Sequence, residues 1–206
     1  MTFSCTLTYV KISSVYIYNG LFRKVKVMIN VSTIKITAPE EYKTDLQESV
    51  YKTLDKLAIP YERVDTDEVI TMEDCIAVNA KLDMKMVKTL FLCNRQQTVF
   101  YLFITKGDKA FKSKDFCNVL GISRVSFAPV EMMDTMLGTK IGAATIFSVL
   151  LESAKDVNII FDQDVIDEDF YGCSDGTTTG YMKIKTVDIY KKFLQYAKKS
   201  YSVIKI

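Results

Sequence analysis

The stretch Met86–Thr105, MVKTLFLCNRQQTVFYLFIT, constrains this chain more than any other. Two apolar runs, Val87–Cys93 and Val99–Ile104, flank Asn94–Thr98, a pattern that predicts a hairpin buried on at least one face. Lys88 sits inside the first run. An ammonium buried without a partner costs several kcal/mol, so a strand-embedded lysine marks a candidate site facing a cleft. An alternating strand allows a second reading, in which Lys88 lies on the wet face with its stem over the sheet, and spacing alone favours that one.

A chain of 206 residues and 23.5 kDa has room for one sizeable domain with an appendage, and 49% hydrophobic against 25% charged residues is an ordinary globular balance. The formal charge of +2 neither demands nor excludes a nucleic-acid partner. There is no histidine, which removes Ser-His-Asp and Cys-His relays and the histidine-based zinc hydrolases and deaminases together. The cysteines Cys5, Cys75, Cys93, Cys117 and Cys173 are scattered, with no C-x-x-C pair, and read as reduced thiols of a cytoplasmic protein without a metal site. No apolar run reaches the roughly 18 residues of a membrane span, and no signal peptide is indicated.

Residues 1–38 alternate Thr, Tyr, Val, Ile and Lys and read as a β-rich extension of two or three strands, the first hairpin closing at Asn19-Gly20. A domain over 39–206 follows. Glu40–Leu57 predicts an amphipathic helix behind Pro39, with Leu46, Val50, Leu54 and Leu57 on one face, and Tyr61–Asp65 a short strand. Thr71 and Asp74 form a capping-box pattern before a helix over Met72–Ala80. Ser113–Leu120 predicts a helix closed by Gly121. A second opens at Pro129, carries Met132, Met133 and Met136 as core filler, and ends at Gly138. Val157–Phe161 and Tyr181–Lys185 read as strands, Tyr171–Gly180 as a small-polar loop, Thr186 as the cap of a helix over Val187–Ala197, and Tyr201–Ile206 as a final strand. Short strands interspersed with short helices predict a compact mixed α/β domain, a largely antiparallel twisted sheet with surrounding helices.

Two groups of basic residues flank the central hairpin: Lys81, Lys85 and Lys88 before or within it, and Lys106, Lys109, Lys112, Lys114 and Arg124 after it. They read equally well as a basic rim around a cleft and as a solvated surface. The run Gly138–Phe147, GTKIGAATIF, gathers small residues whose N–H groups suit a carbonyl or phosphate oxygen, although a tight turn satisfies the same pattern and the ending of a P-loop is missing.

Several stretches together resemble the aminoacyl-tRNA deacylases of the YbaK and ProX type, which include the editing domain of bacterial prolyl-tRNA synthetases. They are Lys88–Leu92, Leu120–Ala128, Leu137-Gly138 with Ile141–Phe147, and Val157–Asp162, in the order and spacing of that family from about Tyr42 to Tyr201. The resemblance implies a compact mixed sheet with outer helices and hydrolysis, without cofactor or metal, of an amino acid wrongly joined to tRNA. Ala on the proline acceptor is the leading substrate and Cys the alternative. A non-catalytic module that binds an aminoacylated end or a synthetase is a further alternative.

Carried onto this chain, the resemblance makes Lys88 the residue beside the scissile ester. It places Gly142, Ala143, Ala144 and Thr145 along the aminoacyl pocket. Tyr171, Asp175 and Thr178 fall in the site region, Asp175 being read either as a contact to the substrate amine or as an Asx-turn residue beside Gly176. Lys81, Lys85, Lys106 and Lys109 are the candidate contacts to the 3′ end of the tRNA, and prolyl-tRNA synthetase is a candidate partner. The chain departs from the family pattern at Ile146, where proline is usual, and at Tyr171, where histidine is common.

Overall fold

The computed structural model describes residues 29–206, together with the backbone of Val15–Tyr18 and Leu21–Lys24. These two segments, β1 and β2, pair antiparallel with Tyr18 opposite Leu21, the register of a hairpin with a two-residue connection. The strand reading before Val15 lies outside the described residues.

The first helix, α1, spans Asp45–Lys56. It starts five residues later than the apolar spacing predicts, because Thr44 is the cap: its Oγ1 accepts from the Gln47 N–H at 3.1 Å. Leu46, Val50 and Leu54 are buried as expected, each contributing about 1.5–3 kcal/mol of transfer free energy. Strand β3, Tyr61–Asp65, follows. Residues 31–35 run antiparallel beside it through bridges from Val31 to Thr66 and from Lys35 to Arg63. The Thr71/Asp74 box forms reciprocally, with Asp74 N–H to Thr71 Oγ1 at 3.2 Å and Thr71 N–H to Asp74 Oδ2 at 3.1 Å, ahead of α2, Cys75–Leu82.

Strands β4, Val87–Asn94, and β5, Phe100–Lys106, make the predicted hairpin, with Lys88 opposite Thr105. Their continuous apolar character has a direct cause. Phe91, Cys93, Leu102 and Ile104 belong to one core, shared with Val50 and Leu54, while Leu90, Leu92 and Phe103 belong to another, shared with Phe116. Both faces are covered, so neither can be polar. Helix α3, Ser113–Leu120, ends at Gly121 with φ 63°, and α4, Val130–Leu137, ends at Gly138 with φ 61°, both in the left-handed conformation that closes a helix. Between them lies β6, Val125–Phe127.

Two 3₁₀ turns, Ile146–Leu150 and Glu152–Ala154, lead into β7, Asn158–Asp162, and the single-turn helix α5, Gln163–Ile166. Strand β8, Phe170–Ser174, takes up the first four residues of the stretch predicted as a loop, and pairs with β9, Gly180–Lys185. Gly172 and the polar residues after it mask a Phe-Tyr-Gly-Cys segment that packs as a strand. The last helix runs through Thr186–Asp188, a wide π turn at Ile189–Phe193, and Leu194–Tyr196. Lys185, not Thr186, holds its cap position, and Thr186 is the first helical residue with a buried hydroxyl. Strand β10, Tyr201–Ile204, closes the chain.

The mixed α/β class holds, with β3 to β10 divided between two sheets beside the β1/β2 pair. Five strands run in the order β10-β7-β5-β4-β6, β10/β7 and β7/β5 parallel and the others antiparallel, and three run antiparallel in the order β3-β9-β8. Among the described residues, no helix is long and apolar enough to cross a membrane.

Candidate active site

The two sheets share a core and are joined in the main chain by a parallel bridge between Met86 and Gly172. Strand β6 pairs only with the far half of β4, Leu92–Asn94, and β8 meets the near half only at the Met86–Gly172 bridge, which leaves a gap between the two. A cleft of about 400 Å³ opens there, in the range of small-molecule sites. Its lining comes from Val69–Met72 before α2, Val87–Phe91 of β4, Phe127 and Met133, Gly142 and Ala144, and Cys173, Ser174 and Tyr181.

The open edge of β4 supplies main-chain groups to this cleft. Ala128 N–H donates to the Phe91 carbonyl at 2.9 Å, and Gly107 N–H donates to the Met86 carbonyl at 3.1 Å. Odd-numbered residues of β4 therefore present N–H and C=O to the β6 side and even-numbered residues to β5, as an antiparallel ladder requires. Thr89 lies where β6 is absent and beyond the bridge to Gly172, so its main-chain groups point to the uncovered edge. Lys88 is half-buried, lines the cleft, and has its Nζ held by a 2.8 Å hydrogen bond to the Lys109 carbonyl.

Gly142 closes the opposite wall. Its φ is +86°, and a Cβ there would lie 2.9 Å from Ile70 Cα, so the 141–144 loop can seat against Val69-Ile70 only with glycine at this position. The loop is pinned to β8 twice: Ser174 Oγ donates to the Ala143 carbonyl at 3.0 Å, and Thr145 Oγ1 donates to the Ser174 carbonyl at 3.0 Å. Among the described residues, the Gly142 and Ala144 N–H groups have no hydrogen-bond partner. Replacing Gly142 with valine is expected to push the two walls apart and lower kcat/KM at least tenfold, with a smaller loss of thermal stability; single-turnover kinetics beside a melting curve checks this.

Among the described residues that line the cleft, Lys88 is the one with a charged side chain, and none carries a carboxylate. The other ionisable groups are held neutral. Burial, and then the neighbouring Asp74, pushes the Cys75 thiol up to about 11, and burial raises Cys173 and the Tyr181 phenol as well. The site thus offers a fixed cation and main-chain donors and acceptors, with no thiolate or phenolate at neutral pH.

This arrangement can bind an ester oxygen, and the comparisons with known proteins agree. The profile of the aminoacyl-tRNA editing domain matches residues 66–192, well over half of the chain. The chain belongs to the aminoacyl-tRNA editing domain family. It is an aminoacyl-tRNA deacylase by that membership, a hydrolase of the ester between amino acid and tRNA. The prolyl-tRNA editing protein ProX of Acetoanaerobium sticklandii is 27% identical over 122 residues, covering 59% of this chain and 74% of that protein. Two crystal structures share the fold. A hypothetical protein superposes with a TM-score of 0.59 at 13% identity, over 75% of this chain and 96% of its own. A candidate trans-editing enzyme for prolyl-tRNA synthetase superposes with a TM-score of 0.55 at 16% identity, over 80% of this chain and 98% of its own.

In this editing domain, Lys88, Gly142 and Ala144 meet at the cleft, and the other expected site residues lie behind it. Ala143 and Thr145 are buried and hold the loop to β8. Ile146, where the family pattern has proline, is fully buried at the start of the first 3₁₀ turn. Tyr171 is enclosed in the main core two residues before Cys173, and burial pushes its phenol pKa up. Thr178 braces the wall by accepting from Val69 N–H at 2.8 Å and Tyr181 OH at 3.3 Å through its carbonyl. Asp175 is fully buried and accepts four hydrogen bonds: Gln47 Nε2 at 2.7 Å and Tyr51 OH at 3.0 Å on Oδ2, Thr177 N–H at 3.1 Å and Thr177 Oγ1 at 2.7 Å on Oδ1. The Thr177 N–H bond is the Asx turn, the second of the two readings for this residue.

Three of the eight basic residues around the hairpin are paired with the editing domain's own carboxylates. Lys106 and Lys85 reach Glu168 at 2.7 and 3.1 Å, and Lys109 reaches Asp162 and Asp164 at 2.7 and 2.8 Å, while Lys81 is exposed in the last turn of α2. The hydrogen bonds from Lys106 and Lys85 hold the Glu168 carboxyl below its ordinary pKa, and Lys109 does the same for Asp164. Sequence reasoning missed the Val69–Met72 wall, the Cys173-Ser174 contribution and the β4 edge. The first two depend on how the sheets meet, whereas the shortness of β6 was open to detection from Pro129 directly after Ala128.

Proposed function

We propose that this deacylase removes alanine from misacylated tRNA carrying the proline acceptor, acting in trans. The observation that carries the reading is Lys88, a fixed cation on the open edge of β4 in an otherwise apolar cleft. The proline acceptor is supported by the relative named as a prolyl-tRNA editing protein. An aminoacyl ester is already activated. Water held beside the carbonyl suffices when the developing oxyanion is stabilised. In this mechanism the Gly142 and Ala144 N–H groups polarise the carbonyl, Lys88 offsets charge on the oxyanion or the terminal phosphate, and the α-amine or ribose hydroxyl of the substrate takes up the proton. No side chain of the cleft need act as a base, in keeping with its neutral thiols.

Discrimination follows from the walls. A methylene is worth about 1–3 kcal/mol in an apolar pocket, so a synthetase site for proline cannot reject alanine strongly, and a second, tighter pocket supplies the missing factor. Ile70, Met72, Met133 and Ala144 set the size limit here. A panel of Ala-, Cys-, Ser- and Pro-tRNA(Pro) tests the assignment. Ala-tRNA(Pro) is expected to be deacylated at least tens of times faster than Pro-tRNA(Pro). Preference for Cys would move the substrate to the thiol amino acid, and no turnover of any member would leave a binding module. Prolyl-tRNA synthetase is the candidate partner that would present the misacylated product.

A further inference from the structure

The mouth of the cleft is bordered by large apolar side chains that the fold leaves uncovered. Ile70, Phe127, Val130 and Ile141 all line it, and each is about half exposed or more, Phe127 at 63%. Single exposed apolar residues are ordinary on a protein surface, but four around one opening mark a binding surface. Phe127 is the aromatic member. Phe91 and Tyr181, the other aromatic residues lining the cleft among the described residues, are buried.

The Phe127 ring is exposed yet held in place. Its centroid lies 6.1 Å from that of Phe111 with the planes at 64°, an edge-to-face pair, and Phe111 in turn packs on Phe103 and Phe116 of the second core at 5.8 and 5.9 Å. Its place relative to Lys88 follows from register. Phe127 stands opposite Leu92, and side chains of β4 alternate between faces, so the ring shares a face of the five-stranded sheet with Leu92, Leu90 and Lys88. Lys88 and Leu92 are separated by roughly 13 Å of strand, a span that an aminoacyl-nucleoside covers. One short segment reaches both ends of it: the Lys109 carbonyl holds Lys88 Nζ at 2.8 Å, and Phe111, two residues on, meets Phe127. The amino acid of an aminoacyl-tRNA is esterified to the ribose of the terminal nucleotide, and that ribose carries a base. With the ester beside Lys88 and the aminoacyl group in the cleft, the base settles on the surface around the mouth, where Phe127 is the planar side chain.

We propose that Phe127 is the stacking platform for the terminal base of the tRNA, a nucleobase subsite beside the ester site, which rests on the reading of Lys88 given above. Stacking uses the π face of a base and none of its hydrogen-bonding edges, so the subsite adds affinity without sequence preference. The contact involves no phosphate, so its contribution persists at high salt.

The test pairs a truncation of the protein with a truncation of the substrate. Full-length wild type, F127A, F127L and F127Y are assayed on the alanyl ester of adenosine and on the same ester of methyl riboside, which has no base. V203A, on β10 at the opposite edge of the sheet from β6, is the control. Wild type is expected to prefer the adenosine ester at least about fivefold in kcat/KM, and F127A and F127L to bring that ratio to about one, while F127Y and V203A keep it. F127L retains apolar bulk against Phe111, so its melting curve stays near that of wild type and the loss belongs to the ring. A second readout needs no turnover: a CCA trinucleotide with 2-aminopurine as its terminal base loses fluorescence on stacking, and the quench seen with wild type disappears with F127A and F127L and returns with F127Y. A preference or a quench that survives unchanged in F127A and F127L overturns the proposal, as does a wild type that hydrolyses both esters equally well. A quench that depends on Phe127, in a protein that hydrolyses neither these esters nor Ala-tRNA(Pro), would overturn the reaction assigned to Lys88 and leave the subsite standing.

Discussion

Lys88→Ala is expected to lower single-turnover deacylation by about 10²–10³-fold, the loss found when one preorganised donor to a developing oxyanion is removed. The expectation rests on position. Lys88 stands on the half of β4 that β6 leaves open, and its ammonium is anchored 2.8 Å from the Lys109 carbonyl. Lys109 is itself fixed by Asp162, buried in β7, so the chain from β7 to the cleft is rigid. Lys88→Met separates charge from packing, because it keeps the stem on the sheet: its melting temperature should stay near that of wild type while its rate falls as far as that of the alanine variant. Lys88→Arg keeps the charge on a bulkier, planar head and should recover part of the rate. A rate within threefold of wild type in Lys88→Ala, on whichever aminoacyl-tRNA the wild type hydrolyses, would remove Lys88 from the chemistry.

The contrast between Lys88 and Tyr171 shows how far the sequence reaches. Both stand in strands of mostly apolar neighbours, and the family pattern points to both. A cation in an apolar run makes Lys88 a candidate, but its spacing favours a wet strand face, and it is the resemblance that points it to the cleft. Tyr171 carries no such signal: a tyrosine beside Gly172 fits a loop, a wall or a core, and only the β8/β9 pairing with Ile184 opposite puts it inside. The hairpin, α3, α4 and their closing glycines were legible because their cues are local. The division of strands between two sheets was not, since it is fixed by the Met86–Gly172 bridge between residues far apart in the chain. The ion pairs of Lys85, Lys106 and Lys109 were hidden for a related reason. Their partners, Glu168, Asp162 and Asp164, lie in an acidic run that is far from all three lysines in sequence and that the parallel β5/β7 pairing brings alongside.

Asp175→Ala is expected to lower stability by about 3 kcal/mol and Tm by roughly 10 °C, with a much smaller effect on the chemical step at low temperature. Four donors converge on this buried carboxylate, two of them from α1 and two from Thr177, so the residue ties the first helix to the β8/β9 turn. Truncation leaves those donors buried and unpaired. Asparagine does not repair the loss. Its NH₂ would face donors already aimed at one of the two oxygens, and Gln47 cannot invert its amide to compensate, because its Oε1 accepts from the Lys43 N–H at 2.7 Å. Gly180 belongs to the same device, since a Cβ there would fall on Asp175 Oδ2. Denaturant midpoints and single-turnover rates on the same preparations separate the two readings of Asp175. A structural hub shifts the midpoint and spares the rate of the folded fraction. A variant of native stability that had lost a hundredfold in rate would instead make Asp175 a contact of the substrate amine, reached through a rearrangement of α1 that uncovers it.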